Sequence, residues 1–138
     1  MKLTLENLQE QVEKLGWSMK IYEDYISLTI YSPEEQEHYH EITLKHLENG
    51  DVDFHSFIEE LYECAENFDV KENTMLWVDD EGHGKNGAPY HLKDVLKDME
   101  WCKKQSVKLY NKLNKFIIKN INKTFDHLNL VSKNNIVS

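Results

Sequence analysis

The chain is 138 residues long, 40% apolar and 11% aromatic, which suffices for one folded domain with a real core and excludes general disorder. Its net charge of −9 is unevenly divided: residues 1–102 carry 24 Asp and Glu against 8 Lys, residues 103–138 carry 8 Lys against Asp126 alone, and there is no Arg. A body this acidic repels nucleic acid and anionic membrane and attracts basic surfaces.

In chain order, Thr4 caps a first helix with Leu5, Leu8, Val12 and Leu15 at helical spacing, and Gly16 ends it. The period then changes to two. Trp17, Met19 and Ile21 share one face of a strand, Glu23 and Asp24 form a turn, and Ile26, Leu28 and Ile30 share a face of the next strand. Ser32 to Glu35 reads as a turn. A third strand places His40, Ile42 and Leu44 on one face, and Asp53 caps a second helix with the stripe Phe54, Phe57, Ile58, Leu61, Ala65 and Phe68. The order predicts an α+β fold: an α-β-β-β-α antiparallel meander with two helices on one face, followed by a long C-terminal helix. Double-stranded-RNA-binding domains share that order, but they hold phosphates through cationic contacts, and this half is acidic.

Residues 69–78 fit a helical turn or a short edge strand, with Met75, Trp77 and Val78 as the apolar positions. A glycine-rich loop spans 79–89. From about Tyr90, the positions Leu92, Val95, Leu96, Met99, Cys102, Leu109, Leu113, Phe116 and Ile117 follow a three/four spacing interrupted by Ser106. The expected division is an acidic α+β unit over 1–89, a long amphipathic helix over 90–121 and a frayed tail over 122–138, all within one structural domain. A helix to Ile121 would measure roughly 45–50 Å. Its far end must kink back, pair with another chain or stand in solvent.

No apolar run is long enough for a transmembrane helix, and Met1 to Glu6 shows no signal-peptide pattern. Cys64 and Cys102 stand apart, fit no metal or redox spacing, and read as buried thiols in a reducing, cytoplasmic compartment. His38 and His40 alternate on one strand face without a completing Cys/His set, and Asp51-x-Asp53 departs from a calcium loop at His55 and Ser56. Solvated or capping side chains account for all of these. The loop Gly82 to Pro89 lacks a Walker pattern. No nucleophile-base pair stands out, so no enzyme, cofactor or metal is expected.

The acidic face is the feature with functional content. Glu59, Glu63 and Glu66 recur at i, i+4 and i+7 on the second helix with Glu60 beside them, and Asp79, Asp80 and Glu81 add charge on the loop. Carboxylates about 6 Å apart on a helix can imitate a phosphate backbone and occupy a cationic groove, or can simply keep the surface solvated. In the basic segment, Leu109, Leu113, Phe116 and Ile117 form a stripe that folds onto its own chain, pairs with a second copy, or meets an anionic surface.

The run Phe57…Leu61…Ala65-Glu66-Asn67-Phe68-Asp69-Val70…Leu76-Trp77-Val78, then Asn86-Gly87-Ala88-Pro89 and Leu92…Val95-Leu96…Asp98…Leu113, resembles small acidic proteins encoded by phages, prophages and plasmids of Gram-positive bacteria. Most members of that group are uncharacterised, and they travel with anti-restriction and anti-CRISPR genes. The resemblance covers under half of the chain and carries no catalytic or binding residue with it. Together with the acidic face, it leads to the expectation of an anti-defence inhibitor that binds a basic protein, such as a host nuclease or nucleic-acid-binding effector, through acidic mimicry. The alternative is a structural or regulatory module that self-associates, as a homodimer, through its C-terminal helix.

Overall fold

A computed structural model of the chain describes residues 3–79, 81, 83, 84 and 91–128, the last seven of these by backbone alone. The elements run α1 (Leu5–Lys14), β1 (Ser18–Ile21), β2 (Tyr25–Tyr31), β3 (Glu37–Thr43), α2 (Phe54–Glu66), α3 (Val70–Leu76) and α4 (Leu92–Leu128). The α+β meander with a long C-terminal helix is the fold that the periodicities predict. The ambiguous stretch after α2 resolves as α3, followed by an isolated bridge between Val78 and Gly84.

Local signals set the boundaries. The Thr4 hydroxyl accepts the Asn7 N–H at 3.1 Å, and Gly16 turns the chain out of α1 at φ +88°, a conformation that costs a side-chain-bearing residue energy. Asp53 and Asp69 cap α2 and α3 by accepting the N–H groups of Ser56 and Glu72 at 3.0 and 2.9 Å.

The three strands form an antiparallel sheet in the order β1-β2-β3. Register aligns Met19, Leu28 and His40 in one row and Ile21, Ile26 and Ile42 in another, so the period-2 apolar sets fall on a common face. Tyr25, Tyr31 and Tyr39 stand exposed on the opposite face.

Helix α4 is the spine. Over its 37 residues, about 55 Å at the helical rise, it serves two apolar clusters. Near its start Val95, Met99 and Cys102 pack with Phe68 and Val78. Further along, Leu109, Leu113 and Ile117 enter the main core with Leu8, Val12, Ile26, Leu28, Ile42, Phe57 and Leu61.

Two expectations are corrected here. The helix runs on to Leu128 rather than ending at Ile121, and it closes the meander's core. The self-association stripe is also spent internally. Leu109 and Leu113 have no exposed surface and Ile117 has 1%, while Phe116 packs half-buried against the same core. Apolar side chains already removed from water offer a second copy nothing to bury.

Candidate functional site

The acidic residues on α2 separate by helix geometry, since a step of one residue turns the side chain by about 100°. Glu59 and Glu63 lie on the solvent side of α2 and form one wall of a groove between α2 and α4, about 570 Å³ in volume. Its remaining surface is largely apolar: Tyr62, Tyr110, Ile117, Ile118 and Ile121 line it. Tyr62 and Ile118 are 48% and 51% exposed, and the Tyr62 and Tyr110 rings meet edge to face at 5.2 Å. His55 at the groove's end pairs with Glu59 at 2.8 Å.

Glu60 has a different role. It is half-buried and turned toward β3, where its carboxylate accepts the Thr43 N–H at 3.1 Å and the Thr43 hydroxyl at 3.2 Å. It ties α2 to the sheet end and is removed from the set of free acids.

Glu66 is exposed at the end of α2, where the backbone carbonyls of Ala65 and Glu66 accept hydrogen bonds from the Lys103 ammonium. A cation there satisfies carbonyls that the helix cannot and opposes the negative end of its dipole. Thus Lys103, the first lysine of the basic segment, belongs to the acidic body.

The loop acids form a separate feature. The Asp79 carboxylate accepts the N–H groups of Glu81 and His83, both at 2.9 Å, and the His83 ring lies 3.9 Å from Asp79 and 3.8 Å from Glu81. Neither Asp79 nor Glu81 lines the α2–α4 groove. Asp80 and the loop residues Gly82 and 85–89 lie outside the described residues.

His38 and His40 are not solvated, as the sequence suggested, but point into the domain. His40 is buried, its Nε2 lies 2.9 Å from the Ser106 hydroxyl on α4, and it stacks on Trp17 at 5.7 Å. His38 packs edge-on against His40 and Phe68. Burial lowers the His38 imidazole to about 4. Burial, with His38 adding to it, lowers His40 to about 3. Cys102 is buried and its thiol is pushed up to about 12, by burial first and by Asp98 second. Half-buried Cys64 is raised chiefly by burial, with Glu60 and Glu63 adding to it. Neutral rings and protonated thiols at neutral pH suit a packed interior rather than proton transfer or nucleophilic attack. Among the described residues no group of three or more His, Cys, Asp or Glu side chains converges as a metal site, and no helix is long and apolar enough to cross a membrane.

Sequence reasoning singled out Glu59 and Glu63, which line this groove, but missed its apolar side. The available signal was Tyr62 lying between them and Ile118 lying one residue off the buried stripe of α4. No protein-family model matches the chain, and no curated protein or solved structure is significantly similar to it.

Proposed function

We propose that this chain is a non-enzymatic binding protein that engages a basic partner through the α2–α4 groove, with Glu59, Glu63 and Glu66 meeting the partner's cations. One observation carries this reading: the acidic wall borders exposed Tyr62 and Ile118. Exposed apolar side chains beside an acidic wall match the composition of interfaces, which combine an apolar centre with a polar rim. The charge division supports a nucleic-acid-binding partner, because a cationic groove that accepts phosphates also accepts an array of carboxylates. The resemblance to phage- and plasmid-encoded acidic proteins extends the proposal to inhibition of a cytoplasmic host nuclease or similar defence effector by occupation of its nucleic-acid groove. Asp79 and Glu81 would add steering charge without sharing the groove.

The test is capture from a Gram-positive bacterial lysate at low and high salt, with the Glu59/Glu63/Glu66→Lys variant in parallel and Glu60 left intact because it holds β3. The expected result is a nucleic-acid-binding protein retained by the parent at low salt, released by high salt, absent from the variant, and blocked in DNA binding by the purified chain. Capture that ignores both salt and the substitutions would sink the reading. A mass that doubles with concentration and falls back in Ile118→Asp would instead assign the groove to a second copy.

A further inference from the structure

Asp98 lies in the interior of α4 with only 4% of its surface exposed. Its Oδ1 accepts a long hydrogen bond, 3.4 Å, from the Glu34 N–H in the β2–β3 turn, while its Oδ2 is buried without any hydrogen-bond partner. A buried carboxylate oxygen without a donor costs folding free energy, and a donor brought to it from outside the chain would offset that cost.

Asp98 lines a cleft of about 530 Å³ between the β2–β3 turn and α4, together with Pro33, Glu34, Asp94, Glu100 and Trp101, with Lys97 and Lys104 also among the lining residues. The turn that forms one side is itself firmly built: the Ser32 hydroxyl accepts the Gln36 N–H at 2.9 Å, Ser32 O accepts the Glu35 N–H at 2.8 Å, and Glu35 takes a positive φ of 62°. Four carboxylates and an indole around one cleft make a site for an organic cation. A guanidinium suits it best. It is planar and weakly hydrated, it stacks on an aromatic face, and its several N–H groups can serve Asp98 and the rim carboxylates at once. A point-like ammonium is less well matched, and Lys97 and Lys104, although at hand, leave Asp98 Oδ2 unpaired. The chain contains no Arg, so the guanidinium must come from another molecule.

We propose that the cleft beside Asp98 binds a guanidinium group, supplied by an arginine of the basic partner. The source of the group rests on the function proposed above; the chemistry of the cleft does not. Lys97 and Lys104, lining the same cleft, then oppose the incoming cation by like charge.

The experiment is an NMR titration of the full chain with N-acetyl-arginine amide, its neutral counterpart N-acetyl-citrulline amide, and agmatine. The arginine probe should give saturable shifts at the Trp101 indole and at the Glu34 and Asp98 amides. Binding should be about tenfold weaker for citrulline and in Asp98→Asn, and tighter in Lys97→Gln/Lys104→Gln. Should Asp98→Asn fold poorly, Glu34→Gln/Asp94→Asn at the rim must weaken binding in its place. Equal binding of citrulline, no saturable shift at the cleft, or indifference to all of these substitutions overturns the site. Agmatine binding more than about tenfold tighter than the arginine probe overturns the partner as the source. A silent cleft beside successful salt-dependent capture refutes this inference alone; an arginine-specific cleft beside failed capture refutes the function proposed above and leaves the site standing.

Discussion

His40 on β3 and Ser106 on α4, 66 residues apart, meet at 2.9 Å in the buried interior and fasten the sheet to the long helix. Ser106 is the polar interruption in the apolar stripe of α4, and His40 is the polar member of the inward face of β3. Each offends the pattern of its own element, and each is the other's partner. Ser106→Ala should therefore strand a buried ring nitrogen and lower stability by about 1–3 kcal/mol. Urea unfolding followed by tryptophan fluorescence measures this as a lower midpoint at unchanged slope. An unshifted midpoint would mean that the hydroxyl contributes nothing.

The same rings impose a pH dependence. Both imidazoles are depressed in the folded state, to about 4 for His38 and about 3 for His40, below the usual 6.5 of an unfolded chain. Between those values and 6.5 the unfolded state binds more protons, so stability rises with pH and is lost as pH falls below 6.5. Each ring contributes on the order of 3 kcal/mol across the full window. Urea midpoints should hold steady from pH 8 to about 7 and fall steadily toward pH 5. Replacing His40 and Ser106 together with Leu and Ala should flatten that slope, and an equally steep slope in the double variant would exclude His40 as a source of the acid sensitivity.

Leu113 tests where the α4 stripe is used. It is wholly buried with α1, the sheet and α2, so Leu113→Ala should cost about 2–5 kcal/mol through the cavity it leaves. Light scattering at fixed concentration should return the same mass as the parent under native conditions. A marginal stability change together with a smaller mass would restore the self-association stripe.

Ile118, one residue beyond Ile117 and half exposed, should behave in the opposite way. Ile118→Asp changes stability by less than about 0.5 kcal/mol but removes salt-sensitive partner capture. Thermal unfolding and capture, run on the same preparation, separate the two effects.

Glu59 and Glu60 should separate in the same manner. Glu60→Ala loses two hydrogen bonds to Thr43 and should lower stability by about 1 kcal/mol. Glu59→Ala loses only an exposed pair with His55 and should change stability by less than about 0.5 kcal/mol. The difference in thermal midpoint between these neighbours reads their division of labour directly, and equal midpoints would contradict it.

Periodicity and caps in the sequence alone determined the order of elements, because both act within a few residues of one another. Thr4, Asp53 and Gly16 mark helix ends through bonds and backbone angles that need no distant partner, and alternation in β2 selects the buried face before any neighbour is known. The division of charge was equally legible. What only the tertiary structure decided is which surfaces meet. The Leu109/Leu113/Ile117 stripe would be buried equally well by a second copy or by its own sheet, since the hydrophobic effect is non-directional and records area rather than partner. Placement of α4 beneath the meander chose the second. The same placement joined Ser106 to His40, turned Glu60 inward while leaving Glu59 at the surface, and set Asp98 beside the β2–β3 turn with one oxygen unpaired. These relationships span tens of residues and depend on the relative seating of whole elements, which local pattern does not encode.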